Sequence, residues 1–96
     1  MANKQQAHRI EVHLGDVLEV SGVQDLYNEL KQALDGDNSL NVDASGVNRV
    51  DTASLQMLVS LVEYAKRSNR DVSVKSASEA FAKTAMMLGV GAALGL

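Results

Sequence analysis

The side chains best able to do chemistry crowd into one stretch, Asp43 to Leu55, reading DASGVNRVDTASL. It holds Asp43, Ser45, Asp51, Thr52 and Ser54, all with short oxygen-bearing side chains. Two carboxylates could be drawn as an acid–base pair. Each has a simpler task, Asp43 at the end of a strand and Asp51 at the start of a helix. Hydroxyl nucleophiles need a base beside them and a third group to orient that base. Both histidines, His8 and His13, precede the stretch on the first strand, so no Ser/His/Asp order is formed. Their odd spacing puts them on opposite faces of a strand, where they cannot share a metal. With no Cys there is neither a thiolate metal site nor a disulfide frame. No GxxxxGK[ST] or GxGxxG string cradles a nucleotide. The expectation is a chain that is no enzyme and carries no cofactor or metal.

Recognition and regulation are better served. Short oxygen-bearing residues before a helix accept bonds from its free N–H groups. The same helix start carries a partial positive charge that favours an added phosphate. Phosphorylating Thr52 would add a charge of about -1.5 to -2 beside Asp51 and repel a partner fitted to the neutral loop. Ser54 is the second acceptor in reach. The plainer alternative is that Thr52 and Ser54 only cap backbone amides.

The elements that position this loop follow from hydrophobic period. Ile10, Val12 and Leu14 alternate with polar neighbours, Gly15-Asp16 suits a turn, and Leu18 and Val20 resume the alternation, so residues 9–20 are expected to form a β-hairpin. Ser21 with Gln24 has capping-box spacing and opens a first helix. Its inner face is Val23, Leu26, Tyr27, Leu30, Ala33 and Leu34, and Asp35-Gly36 ends it through a left-handed glycine. A strand is expected near 39–43. A second helix spans about 52–68, with Leu55, Leu58, Val59, Val62 and Ala65 as core stripe. Met57, Leu61 and Tyr64 make a separate seam on it, either the edge of a wide core arc or one wall of a partner groove. A strand over 71–75 follows. Ser76 with Glu79 then opens a third helix whose inner face is Phe81, Ala85 and Leu88, with Gly89 as its stop. The apolar tail VGAALGL either packs as a last segment or frays. The order β-β-α-β-α-β-α predicts an α/β fold, a small mixed β-sheet with helices packed mainly on one face.

Ninety-six residues suit one domain, 1–96, with 1–8 expected as a flexible N-terminal tail. Apolar residues at 46% and charged residues at 22% are ordinary for a soluble protein. A net charge of -3 offers no basic field, which argues against nucleic acid. No apolar run nears the ~18 residues of a membrane span, and MANKQQAHR is unlike a signal peptide. A cytoplasmic protein with no direct membrane insertion is expected.

The residues Asp43, Ser45, Val47, Val50, Asp51, Thr52, Ala53 and Leu55 match, in register, a string that resembles the STAS domain family. That family is named for sulfate transporters and anti-sigma factor antagonists. Its string runs roughly Asp-apolar-Ser-x-Val-x-x-apolar-Asp-Ser/Thr-Ser/Ala-Gly-Leu, and the resemblance extends over essentially the whole chain. It implies a bacterial, non-catalytic signalling module, anti-sigma factor antagonist-like, whose loop and second helix bind an anti-sigma factor or serine/threonine kinase-like protein. Phosphorylation of a Ser or Thr in the loop would then release that partner. Two residues depart from the pattern. Ala53 stands where the sporulation-type Asp-Ser-Ser-Gly string has its phosphorylated Ser, and Ser54 replaces the usual Gly. Thr52 is the remaining acceptor, as in Asp-Thr versions resembling stressosome-like, chemosensory-cluster and ABC lipid-transporter STAS proteins. The alternatives implied are thus an accessory subunit on the cytoplasmic ATPase of an ABC phospholipid transporter, with Thr52 as a docking contact, or a chemosensory-cluster protein. The expected partner-binding residues are Asp43, Ser45, Asp51, Thr52, Ala53, Ser54, Met57, Leu61 and Tyr64.

Overall fold

Parallel pairing builds every sheet contact in the computed structural model, which describes residues 9–96. The expectations for His8 and the 1–8 tail fall outside those residues. Strands β1 (Arg9–His13), β3 (Ser39–Ala44) and β5 (Val72–Ala77) form a three-stranded sheet in the order β1-β3-β5. Two further strands, β2 (Val17–Leu18) and β4 (Arg49–Val50), pair with each other and, among the described residues, with no other strand. The helices are α1 (Val20–Asp35), α2 (Thr52–Arg67) and α3 (Glu79–Met87), and Ala92–Leu94 makes a 3-10 turn. Parallel neighbours need long crossovers, and α1 and α2 supply them. The α/β class with a small sheet is as expected, but the described strands pair only in parallel where a mixed sheet was expected, because that expectation rested on an antiparallel hairpin. The hairpin over 9–20 is not formed: β1 pairs with β3 and β2 with β4. Alternation tells which side chains point inward but not which strand lies alongside. Gly15 and Asp16 therefore carry the chain from one sheet to the other. The Asp16 carbonyl receives the Asn48 N–H at 2.7 Å and the Arg49 N–H at 3.2 Å.

Helices α1 and α2 pack on each other and over the sheet face formed by Leu40, Val42, Val72 and Val74, while α3 packs against β4 and β5. Between these layers lie Leu55, Leu58, Leu61, Val62, Ala65, Phe81 and Ala85. Val59, expected in the α2 core stripe, is only half-buried, and Leu61 replaces it there. Leu88, expected on the inner face of α3, is 40% exposed, and Leu94 at 1% closes the core from the tail. The tail therefore packs. No described helix is long and apolar enough to cross a membrane.

Three helix ends differ from expectation. N-cap Glu19 precedes α1, without a side-chain cap bond, and Ser21 lies inside the helix. At its other end Gly36 has φ -85, and Asp37 takes the left-handed conformation at φ 69. Asn38 Nδ2 donates to the Ala33 carbonyl at 2.9 Å, so a polar side chain does part of the work expected of a glycine. The cap of α3 is Ser78, not Ser76, because β5 continues through Ala77. A bulge explains the offset: Val42 faces Val74, yet Asp43 faces Ser76, so Lys75 is the extra residue on β5. Gly89 ends α3 at φ 73, as expected.

Candidate functional site

The stretch from Asp43 to Ser54 leaves β3, crosses β4 and enters α2. Two anchors, one buried and one exposed, give it shape. Val47 is fully buried, and its carbonyl accepts the Ser78 hydroxyl at 2.5 Å. That hydroxyl also receives the Phe81 N–H at 3.0 Å, so the cap of α3 pins the loop. Asn48 Nδ2 bonds the Asp16 carboxylate, tying the loop to the step between β1 and β2. Sequence reasoning missed Ser78, Asn48 and Asp16. Ser78, three residues before Phe81, carries the spacing that could have found the first.

Asp43 stands at the head of the loop, half-buried. Its Oδ1 accepts the Ser45 N–H at 2.9 Å, and Oδ2 lies 3.0 Å from His13 Nδ1. Hydrogen bonds from Ser45, hydroxyl first and amide second, hold its carboxyl below the usual value, with His13 assisting. Asp43 thus stays ionised and shapes an Asx-type turn. Asp51 performs the capping role read from the sequence. Its Oδ1 accepts the Ser54 N–H at 2.9 Å and the Ser54 hydroxyl at 2.7 Å.

The three residues after Asp51 therefore differ sharply. Ser54 is fully buried and its hydroxyl is held by Asp51, which leaves no surface for a partner or a kinase. Ala53 is exposed but bears no hydroxyl, and Thr52 is exposed at the first position of α2. Ser45 is exposed at the loop's other end. The seam Met57–Leu61–Tyr64 does not hold together as a surface. Leu61 is fully buried, and Met57 and Tyr64 are half-buried. The Tyr64 hydroxyl donates to Asp35 on α1, which raises the phenol's pKa. Lys31 sits 4.9 Å from the centre of the Tyr64 ring. This part of the seam bridges α1 to α2, the edge-of-core role weighed from the sequence.

Among the described residues no group of three or more His, Cys, Asp or Glu could hold a metal ion. A parallel α/β sheet thus carries the exposed Thr52 on a capped, pinned loop at the start of its second helix. The chain belongs to the STAS domain family: the family model described as "Mlab, STAS domain" matches residues 1–96. STAS domains are regulatory, protein-interaction modules and generally non-catalytic. No curated protein and no solved structure matches the chain.

Proposed function

We propose that the loop after β3 and the first turn of α2 are the docking surface for a protein partner, with Thr52 at its centre. In this reading the partner is the cytoplasmic ATPase of an ABC phospholipid transporter. The observation that carries it is the fate of the hydroxyls: Ala53 has none, Ser54 is sealed under Asp51, and of the two hydroxyl residues only Thr52 is exposed. The matched family model bears the Mlab description, and the Asp-Thr string resembles lipid-transporter STAS proteins. Ser45, Thr52, Ala53 and Met57 form the contact, Asp43 and Asp51 hold its shape, and Ser54, Leu61 and Tyr64 support it from within.

A second reading is favoured by one feature. The exposed Thr52 hydroxyl lies in the positive field of a helix start, which tolerates a phosphate. The protein is then an anti-sigma factor antagonist-like switch whose partner is an anti-sigma factor of the serine/threonine kinase type.

Two measurements separate the readings. The protein is incubated with the candidate kinase and ATP and mapped by mass spectrometry, and it is co-purified with the transport ATPase. A stable ATPase complex without phosphate on Thr52 supports the first reading. Stoichiometric phosphate on Thr52 that dissolves a kinase complex overturns it. In either case Thr52→Glu is expected to weaken partner binding at least tenfold while moving Tm by no more than about 3 °C. A Tm drop well beyond that would make Thr52 a structural residue of the helix start and not a docking contact.

A further inference from the structure

The outer edge of β1 offers a strand-pairing surface independent of the Thr52 loop. Leu14 N–H donates to the Asp43 carbonyl at 2.9 Å, and β1 keeps an unbroken register with β3 from Arg9↔Ser39 to His13↔Asp43. Main-chain groups alternate along a strand, so Ile10, Val12 and Leu14 turn theirs toward β3. Arg9, Glu11 and His13 turn theirs to the other side, where no described strand pairs with them. Unpaired edges of this kind are templates for another chain.

Side chains beside that edge are two-sided. Ile10, 38% exposed, and Val12 line a cavity of ≈ 400 Å³ with Leu26, Leu30 and Ala33 of α1. On the opposite face, Arg9 donates to Asn41 at 2.8 Å and to Asp71 at 3.0 Å, and Glu11 accepts from Asn41 through Oε2 at 3.0 Å. A guanidinium carries five donors, and a carboxylate has a second oxygen, so both retain bonding capacity.

We infer that β1 pairs antiparallel with β1 of a second copy about a two-fold axis at Ile10, joining two three-stranded sheets into one. Charge selects both the occupant and the register. Centred on Ile10, Arg9 of each copy faces Glu11 of the other, and those are the residues whose main-chain groups point outward, so four backbone bonds form with two ion pairs. The two Ile10 side chains meet on the groove side in a non-hydrogen-bonded pair, where side chains approach most closely. Centring on Glu11 sets glutamate against glutamate. Centring on Val12 sets Glu11 against His13 and Arg9 opposite Gly15, so no Arg–Glu pair forms. Strands this short specify a weak, concentration-dependent dimer.

The test uses the full chain in a concentration series by analytical ultracentrifugation. A dimer that accumulates with concentration is expected, and either Arg9→Glu or Glu11→Arg should weaken it about tenfold. The combined Arg9→Glu/Glu11→Arg swap should restore it, which loss of a merely structural role would not do. Because the chain has no Cys, Ile10→Cys provides a check that needs only a folded protein. Mild oxidation should give a covalent dimer, whereas Val17→Cys, exposed but on β2, should not. A monomer at every concentration, a swap that stays dissociated, or cross-linking through Val12→Cys in place of Ile10→Cys would each overturn the inference. A monomer that binds only an extended peptide of another protein counts against it as well.

Discussion

Helices α1 and α2 begin almost as twins, yet their starts are determined very differently. Each leaves a two-residue strand, and those strands pair, Val17↔Arg49 and Leu18↔Val50. The next residue of each is an acidic N-cap, Glu19 or Asp51, and Asp51 N–H donates to the Leu18 carbonyl at 3.1 Å. Asp51 then accepts two bonds from Ser54, whereas Glu19 makes no side-chain cap bond. Glutamate is one methylene longer and a poorer N-cap than aspartate. Three residues on, the α2 start has buried Ser54 and the α1 start has exposed Gly22, whose N–H bonds the Glu19 carbonyl at 3.0 Å. The contrast teaches that the α2 start is rigid from beneath, so the exposed Thr52 and Ala53 are presented in one arrangement.

The largest test of that contrast is Ser54→Asp. A second carboxylate would lie fully buried against Asp51, at a cost of several kcal/mol, about the stability of a domain this size. Circular dichroism should find the variant largely unfolded at room temperature. A cooperative melt within a few degrees of the parent would mean that the α2 start is as loose as that of α1.

Next in size is the pair Asp51→Ala and Glu19→Ala. The first removes a cap and strands a buried hydroxyl, for about 2–3 kcal/mol in urea unfolding. The second should cost under about 0.5 kcal/mol, as for an ordinary surface residue. Equal losses would erase the distinction. Sharpening it from the other side, Glu19→Asp should stabilise by about 0.5–1 kcal/mol if side-chain length is what denies α1 its cap. No gain would point to the strand geometry before α1.

The smallest effect concerns acid. Asp43 has its folded pKa lowered from the ordinary 3.8 by Ser45 and then His13. A lowered carboxyl contributes stability above its unfolded value and loses it as pH falls through the folded value. Stability curves of the parent and Asp43→Asn should therefore differ near neutrality and converge as pH falls below the ordinary carboxylate range, through the lowered folded value. A constant gap down to low pH would show that the Asp43 bonds do not depend on its ionisation.

Local signals in the chain carried a good deal of this. The strand at 39–44, the limits of α2, Asp51 as its cap and Gly89 as the stop of α3 were all legible, since each rests on neighbours a few residues apart. The outward Thr52 was legible too, because an N1 residue after a capping Asp projects from the helix start. Other features were not. The absent hairpin, the α3 cap displaced to Ser78 and the sealed Ser54 each depend on a distant segment.

The amino-acid order alone determined which residues are apolar and with what period, and so the succession of strands and helices and the chemistry of the loop between β3 and α2. Only the tertiary structure decided that β1 lies beside β3, that Leu61 and Leu94 close the core, and that Ser78 and Asp16 hold the loop. The reason is range: caps and periodicity are settled within one or two turns of chain. Strand partners and burial are settled by contacts between segments tens of residues apart, whose relative placement no local pattern encodes.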